Sequence, residues 1–291
     1  MSSTKWSSGC LSCEEAIGWV GNLLLSPQMK LFRSSAAAVV ALLTMSASGA
    51  ELNCSGASNV EEFRYTWRLR GGLSWVAGFV FPTSGIGNLK TVYPKDGETS
   101  INSELLITAA DPKTGYFAYE SEMDTAGSKT FMTYHGYAWN KKMRKERTVF
   151  DYQKRLAHIR LEKPEKIETK DKPLPPETLR DVLTAIYYLR QHASEIKGPI
   201  TTTIYSDGKE YPVLFRPADR RTFTIENQKV NALGFEIVDA PGGKKWPGGV
   251  RVYLSEDARR IPFRIEIQQS MASLQLDLQS IEACAFMQAS K

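Results

Sequence analysis

The chain has 291 residues, of which 42% are hydrophobic and 24% charged, and its 37 Lys and Arg against 32 Asp and Glu leave a formal net charge of +5 at pH 7. This composition excludes a collagen, a disordered acidic segment and a polytopic membrane protein. The positive excess is small and comes without a recognised binding module, so we expect no nucleic-acid partner.

The first predicted element is an export signal at residues 29–50. Lys30 and Arg33 form a basic start, a run of small and apolar residues follows, and Ser48-Gly49-Ala50 ends it. This order is typical of a secretory signal peptide, and the apolar run is shorter than the ~20 residues that a membrane-spanning helix needs. We therefore expect cleavage after Ala50, no transmembrane span afterwards, and a periplasmic or outer-membrane-associated protein.

Residues 1–28 do not resemble the start of an exported protein. We interpret them as a non-native N-terminal extension and expect translation to begin at Met29. The mature chain then forms a single β-rich domain, residues 51–291. An alternative stays open, in which residues 14–50 form two short core helices of an intracellular protein.

The export hypothesis decides how the four cysteines are interpreted. Cys10 and Cys13 would leave with the leader, and no second Cys-x-x-Cys completes a zinc site, so we expect no metal and no cofactor. Cys54 and Cys284 would remain. In an oxidising compartment they form either a disulfide or two free thiols, and both interpretations stay open.

From Phe63 onward, alternating apolar and polar residues predict half-buried strands. The predicted strands of the first half are residues 63–70, 73–81, 89–93, 103–109, 116–123, 129–139 and 147–152. Gly85 and Gly87 are interpreted as part of the turn that ends the second strand. Residues 162–172 are charged and contain Pro164, which indicates a linker or an extended crossover.

One amphipathic helix is predicted at about residues 176–196. Pro175 and Pro176 stand at its entry, where a missing amide is tolerated, and Gly198-Pro199 ends it. Its apolar residues recur at spacings of three and four: Leu179, Val182, Leu183, Ile186, Leu189, Ala193 and Ile196. Such a stripe requires an apolar surface to pack against.

Strands resume after the helix, and the sequence between residues 201 and 215 has the strongest hairpin signal in the chain, with Asp207-Gly208 at its turn. The predicted strands are residues 200–205, 211–216, 221–225, 232–239, 250–254, 262–270 and 273–286. These elements predict a mainly β fold, with a single large antiparallel curved sheet or barrel wrapping one helix. Two stacked sheets are the alternative.

Several short motifs carry a family resemblance. They are Phe150-Asp151-Tyr152, the helical segment from Asp181 to Arg190, Tyr205-Ser206-Asp207-Gly208-Lys209 with Tyr211-Pro212-Val213, Trp246-Pro247-Gly248-Gly249, and Leu254-Ser255-x-Asp257-x-Arg259-Arg260-x-Pro262. Together they resemble a bacterial exported family known as domain of unknown function 3108. The resemblance covers nearly all of residues 60–286. It implies one β-rich periplasmic or outer-membrane-associated domain and carries over no activity.

No catalytic template is present. The chain has no His-Glu-x-x-His, no Gly-x-Ser-x-Gly and no phosphate-binding loop, and its three histidines, His135, His158 and His192, lie in different predicted elements. We therefore expect a protein without catalytic residues.

The densest candidate binding surface is basic and contains one aromatic side chain. Its residues are Lys244, Lys245, Trp246, Arg251, Arg259, Arg260 and Arg264. Guanidinium groups bind oxyanions in a two-pronged manner, so this set predicts a rim for an anionic glycan, a lipid phosphate or a peptide carboxylate. In the alternative interpretation, Arg259 and Arg260 pair with acidic neighbours in a turn and Trp246 plugs the end of the barrel.

The functional hypothesis combines these observations. An exported antiparallel sheet around one amphipathic helix predicts a non-catalytic envelope protein that binds a lipid or another amphiphile in a barrel-like pocket. A structural partner of other envelope proteins is the alternative. An envelope hydrolase is a third, weaker one.

Overall fold

The computed structural model describes residues 59–71, 82–95, 97–111, 115–139, 142–246, 248–268 and 273–283. The N-terminal extension, the signal peptide with its cleavage site, the predicted strand at 73–81, and both Cys54 and Cys284 lie outside the described residues. Those predictions stay predictions.

The described chain contains fourteen strands and one helix. In chain order they are β1 (Val60–Arg70), β2 (Ser84–Val92), β3 (Ser100–Ala109), β4 (Gly115–Asp124), β5 (Thr130–Trp139), β6 (Lys142–Asp151), β7 (Leu156–Lys163), β8 (Lys166–Pro173), α1 (Val182–His192), β9 (Ile200–Ser206), β10 (Lys209–Ile225), β11 (Gln228–Asp239), β12 (Gly249–Ser255), β13 (Pro262–Gln268) and β14 (Ser273–Ala283).

All fourteen strands belong to one antiparallel curved sheet, which confirms the predicted fold class and excludes two stacked sheets. Its order is β8-β7-β6-β5-β4-β3-β2-β1-β14-β13-β12-β11-β10-β9. Nearly every strand pairs with its neighbour in the chain, and the pairing of β1 with β14 joins the two halves. The edge strands β8 and β9 are consecutive in the chain, and α1 lies between them.

The alternation in β1 behaves as predicted. Phe63, Tyr65 and Trp67 are buried, whereas Arg64 and Arg68 are exposed. The apolar side chains of α1 join the same core, in which Leu183, Ile186 and Leu189 are packed with the inner residues of the sheet. Complete burial of one such side chain contributes about 1.5 to 3 kcal/mol, so the helix and the sheet stabilise each other.

The helix is shorter than the predicted range of 176–196. It begins at Val182 because Asp181 is its N-cap, with an extended backbone and a carboxylate that accepts from the Thr184 amide at 2.7 Å. The preceding residue, Arg180, pairs with β9 instead, since the Tyr205 amide donates to the Arg180 carbonyl at 2.7 Å. Pro175 and Pro176 therefore precede a short extended segment, not the helix.

Two further interpretations of the sequence are wrong. Residues 162–172 are not a linker, because most of them belong to the β7–β8 hairpin, whose turn contains Pro164. Gly85 and Gly87 do not end a strand, because both lie inside β2. At Gly85 a Cβ would stand 2.6 Å from Trp67 Nε1 and closer still to the Thr108 carbonyl, so glycine leaves room for the indole to cross the strand.

The two ends of the sheet approach each other through side chains. Tyr205 of β9 packs edge-on against Phe150 of β6, with ring centroids 4.9 Å apart. Both belong to a second buried cluster that includes Ala157 and Ile159 of β7 and Leu179 of the segment before α1. Because Leu179 packs with side chains from β6, β7 and β9, the segment that leads into α1 lies between the two ends of the sheet.

Candidate functional site

A cavity of about 150 Å³ lies between the first turn of α1 and the inner face of the sheet. One of its walls is polar and comes from β4, β5 and β6. The other wall is apolar and comes from α1, β12 and β13. The tip of the β9–β10 hairpin closes one side.

The polar wall consists of side chains that face one another across adjacent strands. Thr133 pairs in register with Thr148, and both line the cavity. One step along the strands, His135 is paired with Tyr119 on one side and with Glu146 on the other. Residues directly opposite on neighbouring antiparallel strands share a face of the sheet. The pairing of β4, β5 and β6 therefore brings these side chains together on the inner face.

His135 is the centre of this wall. Its ring stacks on Tyr119 with a centroid distance of 4.6 Å, and its Nδ1 lies 3.3 Å from Asp207 Oδ1 in the β9–β10 turn. The hydrogen bond with His135 lowers the pKa of Asp207. Burial raises the pKa of Tyr119 to about 12, so its hydroxyl stays neutral. Glu146 is held at 2.7 Å by Arg144 two residues earlier on β6.

The inner end of the cavity is formed by the N-cap of α1. Asp181 is buried there, and the Thr184 hydroxyl lies 2.8 Å from both the Thr130 and the Ser121 hydroxyls. Burial raises the pKa of Asp181, although the hydrogen bonds that it accepts oppose this effect. The carboxylate serves the helix terminus, because it satisfies a backbone amide that would otherwise be unpaired.

The side chains of the apolar wall are aliphatic, apart from the indole of Trp246. Leu183 and Ile186 of α1 face this space, as do Val250 of β12 and Ile265 and Ile267 of β13. Trp246 closes the wall from the segment before β12. Its side chain is 6% exposed, and its backbone amide donates to Asp239 Oδ1 at 2.7 Å.

Of the seven predicted rim residues, Trp246 alone lines this cavity. Lys244 and Lys245 are exposed beside it, and the Lys244 ammonium lies 4.9 Å above the ring of Tyr211. These three residues precede β12, whereas Arg259 and Arg260 follow it, so the strand separates the two groups by its full length.

The four predicted arginines have partners within the chain. Arg251 pairs with Glu236, Arg264 with Asp277 at 2.5 Å, and Arg259 with Asp257 at 2.6 Å. Arg260 donates to the backbone carbonyls of Ser255 and Glu256 at 3.1 and 2.9 Å. The structure therefore does not bring the predicted rim together at one place, and the role of these residues in binding stays a prediction.

The histidines differ in their surroundings. His158 and His192 form exposed pairs with Asp171 and Glu195, each at 2.8 Å. His135 faces the cavity, a position that no pattern in the sequence predicts. The register of the β4–β5 hairpin could have placed it beside Tyr119. No local signal connects it with Asp207, which lies 72 residues further along the chain.

Within the described ranges, no cluster of three or more His, Cys, Asp and Glu residues could hold a metal ion. In the same ranges, no helix has the length and apolar character needed to cross a membrane.

A family model described as "Protein of unknown function (DUF3108)" matches residues 86–279. The chain belongs to this family. The match confirms the resemblance seen in the sequence motifs.

A solved structure, that of a β-barrel-like protein of domain of unknown function DUF1849 from Brucella abortus, is similar with a TM-score of 0.42 and 9% identity. The similarity covers 79% of this chain and 100% of that chain. Among curated proteins, none matches the sequence.

Proposed function

We propose that the protein is an exported, non-catalytic envelope protein that binds a lipid-like amphiphile in the inner cavity. The observation that carries the proposal is the contrast between the two walls. Leu183, Ile186 and Ile267 offer an apolar surface, and Thr133 and His135 stand across from them with hydrogen-bonding groups. Such a site suits a molecule with an apolar chain and a polar end.

The size of the cavity limits what it accepts in this conformation. Its volume of about 150 Å³ is below the ~300–1,000 Å³ of typical ligand pockets. An apolar cavity of that size accommodates one small ring such as benzene. The proposal is therefore that the end of a chain enters between α1 and β13, while a longer ligand requires the cavity to widen.

The test is saturable uptake of a fluorescent fatty acyl probe by the delipidated mature protein. We expect Ile267→Trp to weaken probe binding by at least about tenfold, because the indole would occupy the apolar wall. Ile267 is only half-buried, so the larger ring can fit without displacing the core. Ile167→Trp makes the same change on β8 at a side chain that is 56% exposed, and should bind the probe like the wild type.

Two results would overturn the proposal. One is a lack of saturable uptake by the wild-type protein. The other is equal probe affinity in Ile267→Trp, with thermal unfolding showing that the variant is folded.

A structural role among envelope proteins is the second candidate. Among the described strands, β8 pairs with β7 on one side and has no partner strand on the other. A free edge can accept a strand from another chain, although the alternating charges of residues 166–172 oppose such pairing. Cross-linking in cells from a residue on β8 would favour this candidate if it captured one defined envelope protein.

A further inference from the structure

We infer that the tip of the β9–β10 hairpin, residues 206–208, is a lid over the inner cavity, and that the contact between His135 and Asp207 is its pH-sensitive latch. The inference rests on the proposed function in so far as the lid controls entry to that cavity. The movement of the tip can be measured without any ligand.

The first argument comes from backbone pairing. On one side β9 is hydrogen-bonded to β10. On its other side the described chain offers only the short segment before α1, where the Arg180 carbonyl accepts from the Tyr205 amide. Asp207 and Gly208 lie beyond that bond in a tight turn, with φ of 49° and 70°. The tip therefore extends past the last backbone bond that fixes the hairpin to its surroundings.

Two side-chain contacts hold the tip against the opposite end of the sheet, and a third holds Tyr205, the residue before the tip. His135 Nδ1 of β5 lies 3.3 Å from Asp207 Oδ1. Lys172 of β8 donates to the Gly208 carbonyl at 2.6 Å. The Thr148 hydroxyl of β6 lies 3.4 Å from the Tyr205 hydroxyl. Because no ladder joins these strands to the tip, the tip can leave them while the β9–β10 pairing stays intact.

The second argument is the position of the tip relative to the cavity. Tyr205, Ser206 and Asp207 line it on the side of His135. The other lining residues belong to α1 and its N-cap, to strands with hydrogen-bonded neighbours on both sides, or to the segment before β12, where the Trp246 amide donates to Asp239 Oδ1. Widening the cavity for an acyl chain at the hairpin tip thus breaks side-chain contacts with the opposite strands and no strand pairing.

Protonation of His135 decides how strongly the latch holds. The charged imidazolium attracts a carboxylate more strongly than the neutral ring does, and an unperturbed histidine titrates near pH ~6.5. The other charged or titratable groups near this contact are Tyr119 on β4, Arg144 and Glu146 on β6, Lys172 on β8, Tyr205 on β9, and Lys209 and Tyr211 on β10. Among these residue types and histidine, histidine alone has an ordinary pKa between about 5 and 8.

The experiment is amide hydrogen exchange at residues 206–209 in the ligand-free mature protein, from about pH 5 to about pH 8. We expect the protection factor, corrected for intrinsic exchange, to be about fivefold higher at the acidic end, as a change near 1 kcal/mol would produce. Asp207→Asn should remove this dependence, and asparagine tolerates the positive φ of that position. Asp171→Asn removes the carboxylate from the exposed pair with His158 and should keep the wild-type profile.

The rate of acyl probe uptake is the second measurement. It should rise with pH in the wild type and in Asp171→Asn, and stay high at all pH values in Asp207→Asn. Amide protection that is independent of pH would overturn the inference that the hairpin tip is a lid with a pH-sensitive latch. A pH profile of Asp207→Asn equal to that of the wild type would overturn it too. If amide protection follows the prediction but no acyl probe enters at any pH, the inference about the lid is retained and the proposed function is refuted.

Discussion

Arg190 and Glu61 form a buried two-pronged ion pair that joins the last turn of α1 to β1. Arg190 Nη1 donates to Glu61 Oε2 at 2.6 Å, and Nη2 donates to Oε1 at 2.8 Å. The guanidinium also donates to the backbone carbonyls of Arg259 and Arg260, at 3.1 and 3.0 Å. One side chain thus fixes the helix, β1 and the β12–β13 turn together.

Removing one partner of this pair should be costly, because the other charge then stays buried without compensation. We expect Arg190→Met to lower the free energy of unfolding by about 3 to 5 kcal/mol, measured by urea denaturation. The double variant with Glu61→Met should be less destabilised than Arg190→Met alone, because it leaves no unpaired buried carboxylate.

The control for this prediction is Arg220→Met. Arg220 pairs with Glu256 at 3.6 Å, and its side chain is 77% exposed, so its loss should hardly change the urea midpoint. Equal effects of the two Arg→Met substitutions would show that burial does not determine the strength of the Arg190 pair.

Gly85 should be intolerant of any side chain. The Trp67 indole donates to the Thr108 carbonyl at 2.7 Å across this glycine. We expect Gly85→Ala to cost about 2 to 4 kcal/mol, since it combines overpacking with the loss of this hydrogen bond. Gly198→Ala is the matched control, because a Cβ there meets no atom within 4 Å, and its stability should change by less than about 0.5 kcal/mol. A wild-type melting temperature for Gly85→Ala would contradict the prediction.

The N-cap of α1 predicts a particular pH dependence. Burial raises the pKa of Asp181 above its unfolded value, so the folded state binds the proton more tightly. The folded state therefore loses stability as pH rises from the unfolded pKa to the folded pKa of this carboxyl. Asparagine caps helices as well as aspartate does and does not titrate. The stability of the wild type relative to Asp181→Asn should therefore fall as pH rises above the ordinary Asp value of about 4, as measured by denaturation at each pH.

Asp257 gives the opposite sign and serves as the control. Burial raises the pKa of Asp257, but the hydrogen bonds from Ser255 and Arg259 outweigh that effect and lower it. The stability that the Asp257 carboxylate contributes is therefore present above its unfolded pKa and is lost as pH falls through its lowered folded pKa. The wild type should lose its advantage over Asp257→Asn in acid. If wild-type stability relative to each of the two Asn variants changed in the same direction with pH, the opposite pKa shifts of Asp181 and Asp257 would be refuted.

Local signals account for the parts of the fold that could be predicted. Alternation along β1 depends only on which side of one strand faces the core, and the Asp207-Gly208 turn depends on two residues that accept positive φ. The ends of the helix were harder to predict. The proline pair favoured an early start, but the pairing of Arg180 with β9 satisfies the same backbone groups in another way.

The amino-acid sequence by itself determined that the described chain is a long antiparallel meander with one amphipathic helix, because periodicity and turn chemistry act between close neighbours. Only the tertiary structure decided which side chains share the cavity. The contact between His135 and Asp207 spans 72 residues, and that between Glu61 and Arg190 spans 129. Such contacts depend on strand register and on the curvature of the whole sheet, which are properties of the folded chain and of no single segment.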